Sequence, residues 1–97
     1  MKIEITESAS DDVAEGRQFY EMQEAGLGYY FESSIMSDIR SLVVYAGVHE
    51  IHFERYHRKV TSHFPYAIFY RVESNVIRVY AILDTRRNPD LISNRLN

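Results

Sequence analysis

The sequence predicts an α+β fold in which an N-terminal helix hairpin packs on one face of a small antiparallel β-sheet. The order is β-α-α-β-β-β with a short C-terminal helix. Two observations carry this. Tyr66 to Glu73 and Val76 to Leu83 are runs dense in Ile, Val, Tyr and Phe, the residues that suit a pleated surface. The short polar Glu73-Ser74-Asn75 between them, with Asn able to take a positive φ, reads as a hairpin loop. Upstream, Ala9, Val13, Gly16 and Tyr20 recur at helical spacing, and Leu27, Phe31, Ile35, Ile39 and Leu42 do so again.

Taken in order, Ile3 and Ile5 alternate with polar neighbours as a short, half-buried first strand. Ser8 can cap the first helix, with Asp11 three residues on and both Asp11 and Asp12 in the first turn, where the helix dipole favours anions. That helix should span about 9 to 24. Ala25-Gly26-Leu27-Gly28 breaks it, and a second helix should span about 28 to 45, ended by Gly47. The link is so short that the two helices should lie antiparallel.

His49 to Arg55 mixes Ile51 and Phe53 with His52 and Glu54, as an irregular loop or a short strand would. A strand is expected from about His57 to Ser62, with Pro65 at a bend or strand edge before the hairpin. After the hairpin, Asn88 should cap a short helix that Pro89 opens, docked by Leu91, Ile92 and Leu96.

A chain of 97 residues with a 45% apolar share supports one domain with one core. There is no cysteine, which excludes disulfides and thiolate sites. No apolar run approaches the roughly 20 residues of a membrane helix, and Met1-Lys2-Ile3-Glu4 opens no signal-peptide core. A cytoplasmic protein without membrane contact is the expectation. The net charge of −3 conceals an asymmetry: Met1 to Glu50 holds 3 basic and 10 acidic residues, and Ile51 to Asn97 holds 8 basic and 4 acidic. Such a chain has one cationic face, or acidic helices with solvated faces.

The candidate working groups are cations that flank the hairpin. His57, Arg58 and Lys59 precede it and Arg86 and Arg87 follow it, and in a meander the two segments can converge on one rim. The plain alternative is that Arg86 or Arg87 pairs with Asp84 or Asp90. His57 can serve as a general acid or base, its ordinary pKa being about 6.5, or stand outward as an ordinary strand residue. His49 and His52 have ligand-like spacing, but no second pair accompanies them, so no metal or other cofactor is expected. Tyr66, Tyr70 and Tyr80 read as core and sheet-face residues, whereas Tyr29, Tyr30 and Tyr45 suit a partner surface.

Four features together resemble the RelE/ParE superfamily of toxins from bacterial type II toxin–antitoxin systems, in particular its ParE-like, plasmid-stabilisation subgroup. They are Leu27-Gly28 with Phe31, Arg58, Phe64-Pro65-Tyr66 with Ile68 and Tyr70, and Arg86-Arg87-Asn88-Pro89. The resemblance covers almost the whole chain, 1–97, as one toxin domain. It implies a cognate antitoxin, a toxin–antitoxin hetero-oligomer and growth arrest by one of two routes. RelE-like members are ribosome-dependent mRNA endonucleases, or mRNA interferases, that act without a metal; ParE-like members inhibit DNA gyrase and are not nucleases.

On the nuclease route the resemblance places catalytic cations at Arg58 and Arg86, with His57 available for proton transfer. However, Ala67 stands where the nuclease pattern has an arginine, and Ile92 stands near where it has a tyrosine. The acidic balance also disfavours a polyanion. The ParE-like reading is therefore preferred, with Arg58, Lys59, Arg86 and Arg87 as target-binding residues. A degenerate member that only binds its antitoxin is a third possibility.

Overall fold

A computed structural model describes all residues, 1–97. Strand β1 (Lys2–Ile5) leads into helix α1 (Glu7–Gln23) and helix α2 (Leu27–Tyr45); strands β2 (Ile51–His52), β3 (Tyr56–Val60), β4 (Tyr66–Glu73) and β5 (Val76–Asp84) follow, and helix α3 (Pro89–Leu96) closes the chain. The sheet order is β1-β5-β4-β3-β2. The β2-to-β5 part is antiparallel as expected. The whole sheet is mixed, because β1 lies parallel to β5 from Lys2↔Val76 to Ile5↔Val79.

Local chemistry explains most boundaries. Thr6, rather than Ser8, caps α1: its Oγ1 accepts from the N–H of Ala9 at 3.1 Å. Ser8 is drawn into the first turn because β1 stops at Ile5 and leaves Thr6 extended. Gly26 takes φ +90° at the start of α2. The Glu21 carboxylate of α1 then accepts from the N–H groups of Gly26 and Gly28, both at 3.0 Å, and so satisfies orphan donors of α2 across the hairpin. Ser74 and Asn75, at φ +49° and +65°, form the two-residue turn between β4 and β5, a geometry whose twist matches the flanking strands. Asn88 caps α3 through Asp90 N–H at 2.8 Å.

The sheet buries both faces. On one, Phe31, Ile35, Ile39 and Leu42 of α2 and Ala9, Val13 and Tyr20 of α1 pack against Tyr66, Ile68, Tyr70, Ile77, Val79 and Ile82. On the other, Leu96 and half-buried Ile92 of α3 cover Tyr56, Ala67, Phe69, Ala81 and Leu83. Leu91 does not dock and is 58% exposed. Its place on α3 turns it away from the sheet. A bulge joins the two sets: Phe69 faces Ala81 while Tyr70 faces Val79, so Tyr80 is the extra residue. From there the inward alternation of β5 changes phase, from Ile77 and Val79 to Ile82.

Candidate functional site

At one rim β3 ends, β4 begins and β5 ends, since Val60 pairs with Ala67 and Tyr66 with Asp84. The cations singled out in the sequence do not form one cluster at this rim. Arg58 lies opposite Phe69, on the face that Tyr56 shares with α3. His57 and Lys59 alternate to the α1–α2 face, and the His57 ring stacks on Tyr70 at 5.0 Å and 25°. Arg86 sits beyond β5. Its Nε and Nη2 donate to the Asp84 carboxylate at 3.0 and 2.7 Å, and its backbone N–H does so at 2.9 Å. That guanidinium holds the Asp84 carboxyl below the usual carboxylate range and reaches the surroundings of Tyr20 and Tyr66, on the α1 side. Arg58 and Arg86 therefore flank opposite faces of the sheet. Their expected convergence fails because the alternation of β3 turns Arg58 away from the side on which the turn after β5 folds back.

Arg87 makes no ion pair with a carboxylate. It lines a cleft of about 210 Å³ with Gly16, Phe19 and Tyr66. Burial pushes the Tyr66 hydroxyl up to about 12.

A constellation that sequence reasoning missed lies at the β3 end of the α1–α2 face. The fully buried Tyr70 brings its hydroxyl to the surface end of its ring, where it accepts from Gly47 N–H at 3.1 Å and meets His49 Nδ1 at 2.5 Å. His57 Nδ1 donates to the His49 carbonyl at 2.8 Å. Burial chiefly, and then the charges of Lys59 and His57, lower the pKa of His49. Neutral His49 thus accepts from Tyr70. The available signal was Tyr70 itself, since an inward tyrosine needs a partner for its hydroxyl. His52 turns elsewhere, its Nε2 lying 3.6 Å from Glu50, so His49 and His52 do not act as a pair.

The positions that would complete a nuclease site are filled with apolar packing. Ala67 is 0% exposed within the core beneath α3, and Ile92 packs onto the same cluster. Along the helix hairpin runs a groove of about 900 Å³, floored by Ile5, Val13, Ala14 and Met36 and edged by Arg17, Glu32 and Arg40.

No family model matches the sequence, and no curated protein matches it. Solved structures do match. One, described as the chromosomal ParDE TA system from P. aeruginosa, aligns with a TM-score of 0.78 over 89% of this chain and 97% of that chain, at 16% identity. At that identity the likeness establishes a common fold.

Proposed function

We propose that this chain is a ParE-like toxin of a type II toxin–antitoxin system, which arrests growth by binding DNA gyrase until an antitoxin neutralises it. The near full-length likeness to a chain of a ParDE system and the ordered motifs around Gly28, Arg58, Tyr66 and Arg86 support the toxin assignment. The observation that carries the choice of target is Ala67. An arginine there would have to enter a closed apolar layer beneath α3, and Ile92 of that layer stands where the nuclease pattern has tyrosine. Two of the groups that the nuclease pattern supplies for the phosphorane charge and the leaving oxygen are therefore missing. The groove along α1 and α2, apolar below and charged at its edges, suits an amphipathic antitoxin helix.

One observation favours the alternative, an mRNA endonuclease. His57 donates through Nδ1 to a backbone carbonyl, which leaves the Nε2 lone pair of the neutral ring outward, the tautomer a general base requires.

Two assays separate the readings. Purified chain added to gyrase should block supercoiling, and primer extension on translated messages should reveal no new cleavage. Cleavage at ribosomal A sites would establish the nuclease instead. Inactivity in both, with tight antitoxin binding by calorimetry, would identify a degenerate antitoxin-binding member.

A further inference from the structure

The two edges of the sheet differ. β2 contributes only two residues, Ile51–His52, whereas β1 offers four, Lys2–Ile5. Lys2 and Thr6 turn their N–H groups to Asn75 and Val79 of β5, at 3.3 and 3.0 Å. Alternate residues of a strand face the same neighbour, so the N–H and C=O groups of Ile3 and Ile5 point away from the sheet. They meet no partner in the fold. Side-chain cover is incomplete here as well. Ile3 and Ile5 are half-buried, whereas Ile77 and Val79, their register partners on β5, are 0% exposed. Edges of this kind are usually blunted by a bulge, a proline or a run of charge. β1 has no bulge and no proline, and its two charges, Lys2 and Glu4, are opposite in sign and flank Ile3 symmetrically.

We infer that this edge is the contact surface for a second copy of the chain, with β1 pairing antiparallel to β1 of the other copy about a twofold axis at Ile3. In that register each Ile3 lies opposite the other and exchanges both backbone hydrogen bonds with it, as the outward groups require. Lys2 lies opposite Glu4 of the other copy, and Glu4 opposite Lys2, so both charges are matched across the strands. Glu4 keeps Arg78 on Oε2 at 2.9 Å, while Oε1, 3.8 Å from its own Lys2 Nζ, faces the incoming lysine. Moving the axis to Lys2 or to Glu4 would oppose like charges and present groups already bonded to β5. Sequence and backbone direction thus select one register, and one sheet runs through both copies. Four residues a side are far fewer than the roughly 20–30 of a stable interface, so the association is weak and reversible.

The test is sedimentation and NMR of the full chain between about 10 μM and about 1 mM, the range of a weak complex. The average mass should rise towards that of a dimer. Amide exchange at Ile3 and Ile5 should slow with concentration by a larger factor than at Glu4, whose amide already faces β5. In a mixture of ¹³C-labelled and unlabelled chains, a filtered NOE should join Lys2 Hα to Glu4 Hα of the other copy, the close pair of this register. Lys2→Glu leaves the Glu4–Arg78 pair in place but sets glutamate against glutamate. It should weaken association by about tenfold, with melting curves confirming the fold. A chain that stays monomeric up to about 1 mM, equal association in folded Lys2→Glu, or intermolecular NOEs that map away from β1 would overturn the inference.

Discussion

Asp12 of α1 and Arg95 of α3 meet past the edge of the sheet, where both carboxylate oxygens accept from the guanidinium at 2.8 Å. The meeting is possible because β1 pairs only as far as Val79 and leaves the second half of β5 without a strand on its outer side. Asp12 takes over the strand's role there and accepts from Ile82 N–H at 3.0 Å. A single carboxylate thus ties α1, β5 and α3 together and joins the two cores that lie on opposite faces of the sheet.

Arg95→Ala should accordingly destabilise the fold well beyond a surface ion pair. Asp12 would keep one donor and lose its charge partner while remaining 8% exposed. Breaking fully buried pairs costs about 3–5 kcal/mol. Arg95 is partly solvated, so a value of about 2 kcal/mol is expected. Urea denaturation should show a lower midpoint with an unchanged slope.

Gly28→Ala should cost more than Gly47→Ala, although Gly47 has the positive φ. A Cβ on Gly28 would lie 2.5 Å from the Arg17 carbonyl oxygen and 2.9 Å from the Glu21 side chain that caps α2. A backbone carbonyl cannot move aside, so the helices must separate, at a cost of about 2–3 kcal/mol. Gly47, at φ +88°, has open space, and alanine there pays only the left-handed backbone penalty of about 1 kcal/mol. Parallel denaturation curves of the two variants check the order.

That contact also explains why the helix hairpin was legible in the sequence. The breaks at Gly26 and Gly28 and the stripe from Leu27 to Leu42 are local signals, and both buried faces follow from them. Direction and phase in the sheet are not local. Nothing in Lys2–Ile5 says that it will run parallel to β5, and the bulge at Tyr80 shifts a strand that reads as uniformly apolar. The candidate site suffered for the same reason. The meander order placed Arg58 and Arg86 at one rim of the sheet, but strand alternation sent them to opposite faces. His49 was paired in sequence with the nearby His52, whereas its partner in the fold, Tyr70, is 21 residues away.

The His49–Tyr70 contact should make the segment before β3 sensitive to mild acid. The folded pKa of His49 is lowered by burial, then by Lys59 and His57. The unfolded chain therefore binds the proton more readily. The contribution of His49 to stability is complete above about pH 6.5 and is lost as pH falls from there through its folded pKa. Glu4, Glu21 and Asp84, whose carboxyls are lowered by Arg78, by the Gly26 and Gly28 amides and by Arg86 respectively, lose their contributions only at lower pH, in the carboxylate range. Between about pH 7.5 and about 5.5, the melting temperature of the wild type should fall more than that of His49→Gln. Equal slopes would show that the histidine is not coupled to folding.

On the proposed gyrase-binding reading, Arg58→Ala and Arg86→Ala should act independently on gyrase inhibition, and unequally. Neither side chain belongs to an apolar core, so both variants should keep the wild-type melting temperature to within about half a kcal/mol of stability. Arg58 makes no ion pair, so its guanidinium is available to a partner on the α3 face. Removing such a contact from an interface often costs about 2 kcal/mol, or roughly thirtyfold in affinity. The Arg86 guanidinium already donates to both carboxylate oxygens of Asp84, and a partner must share or displace that pair. Its loss should cost roughly tenfold or less. Because the two residues flank opposite faces, the double variant should lose the product of the two factors, within about 0.5 kcal/mol. The concentrations that halve supercoiling by gyrase, measured for the wild type, both single variants and the double variant, complete the cycle. A double variant no weaker than Arg58→Ala alone would show that the arginines act on one shared group, against the separation in the fold.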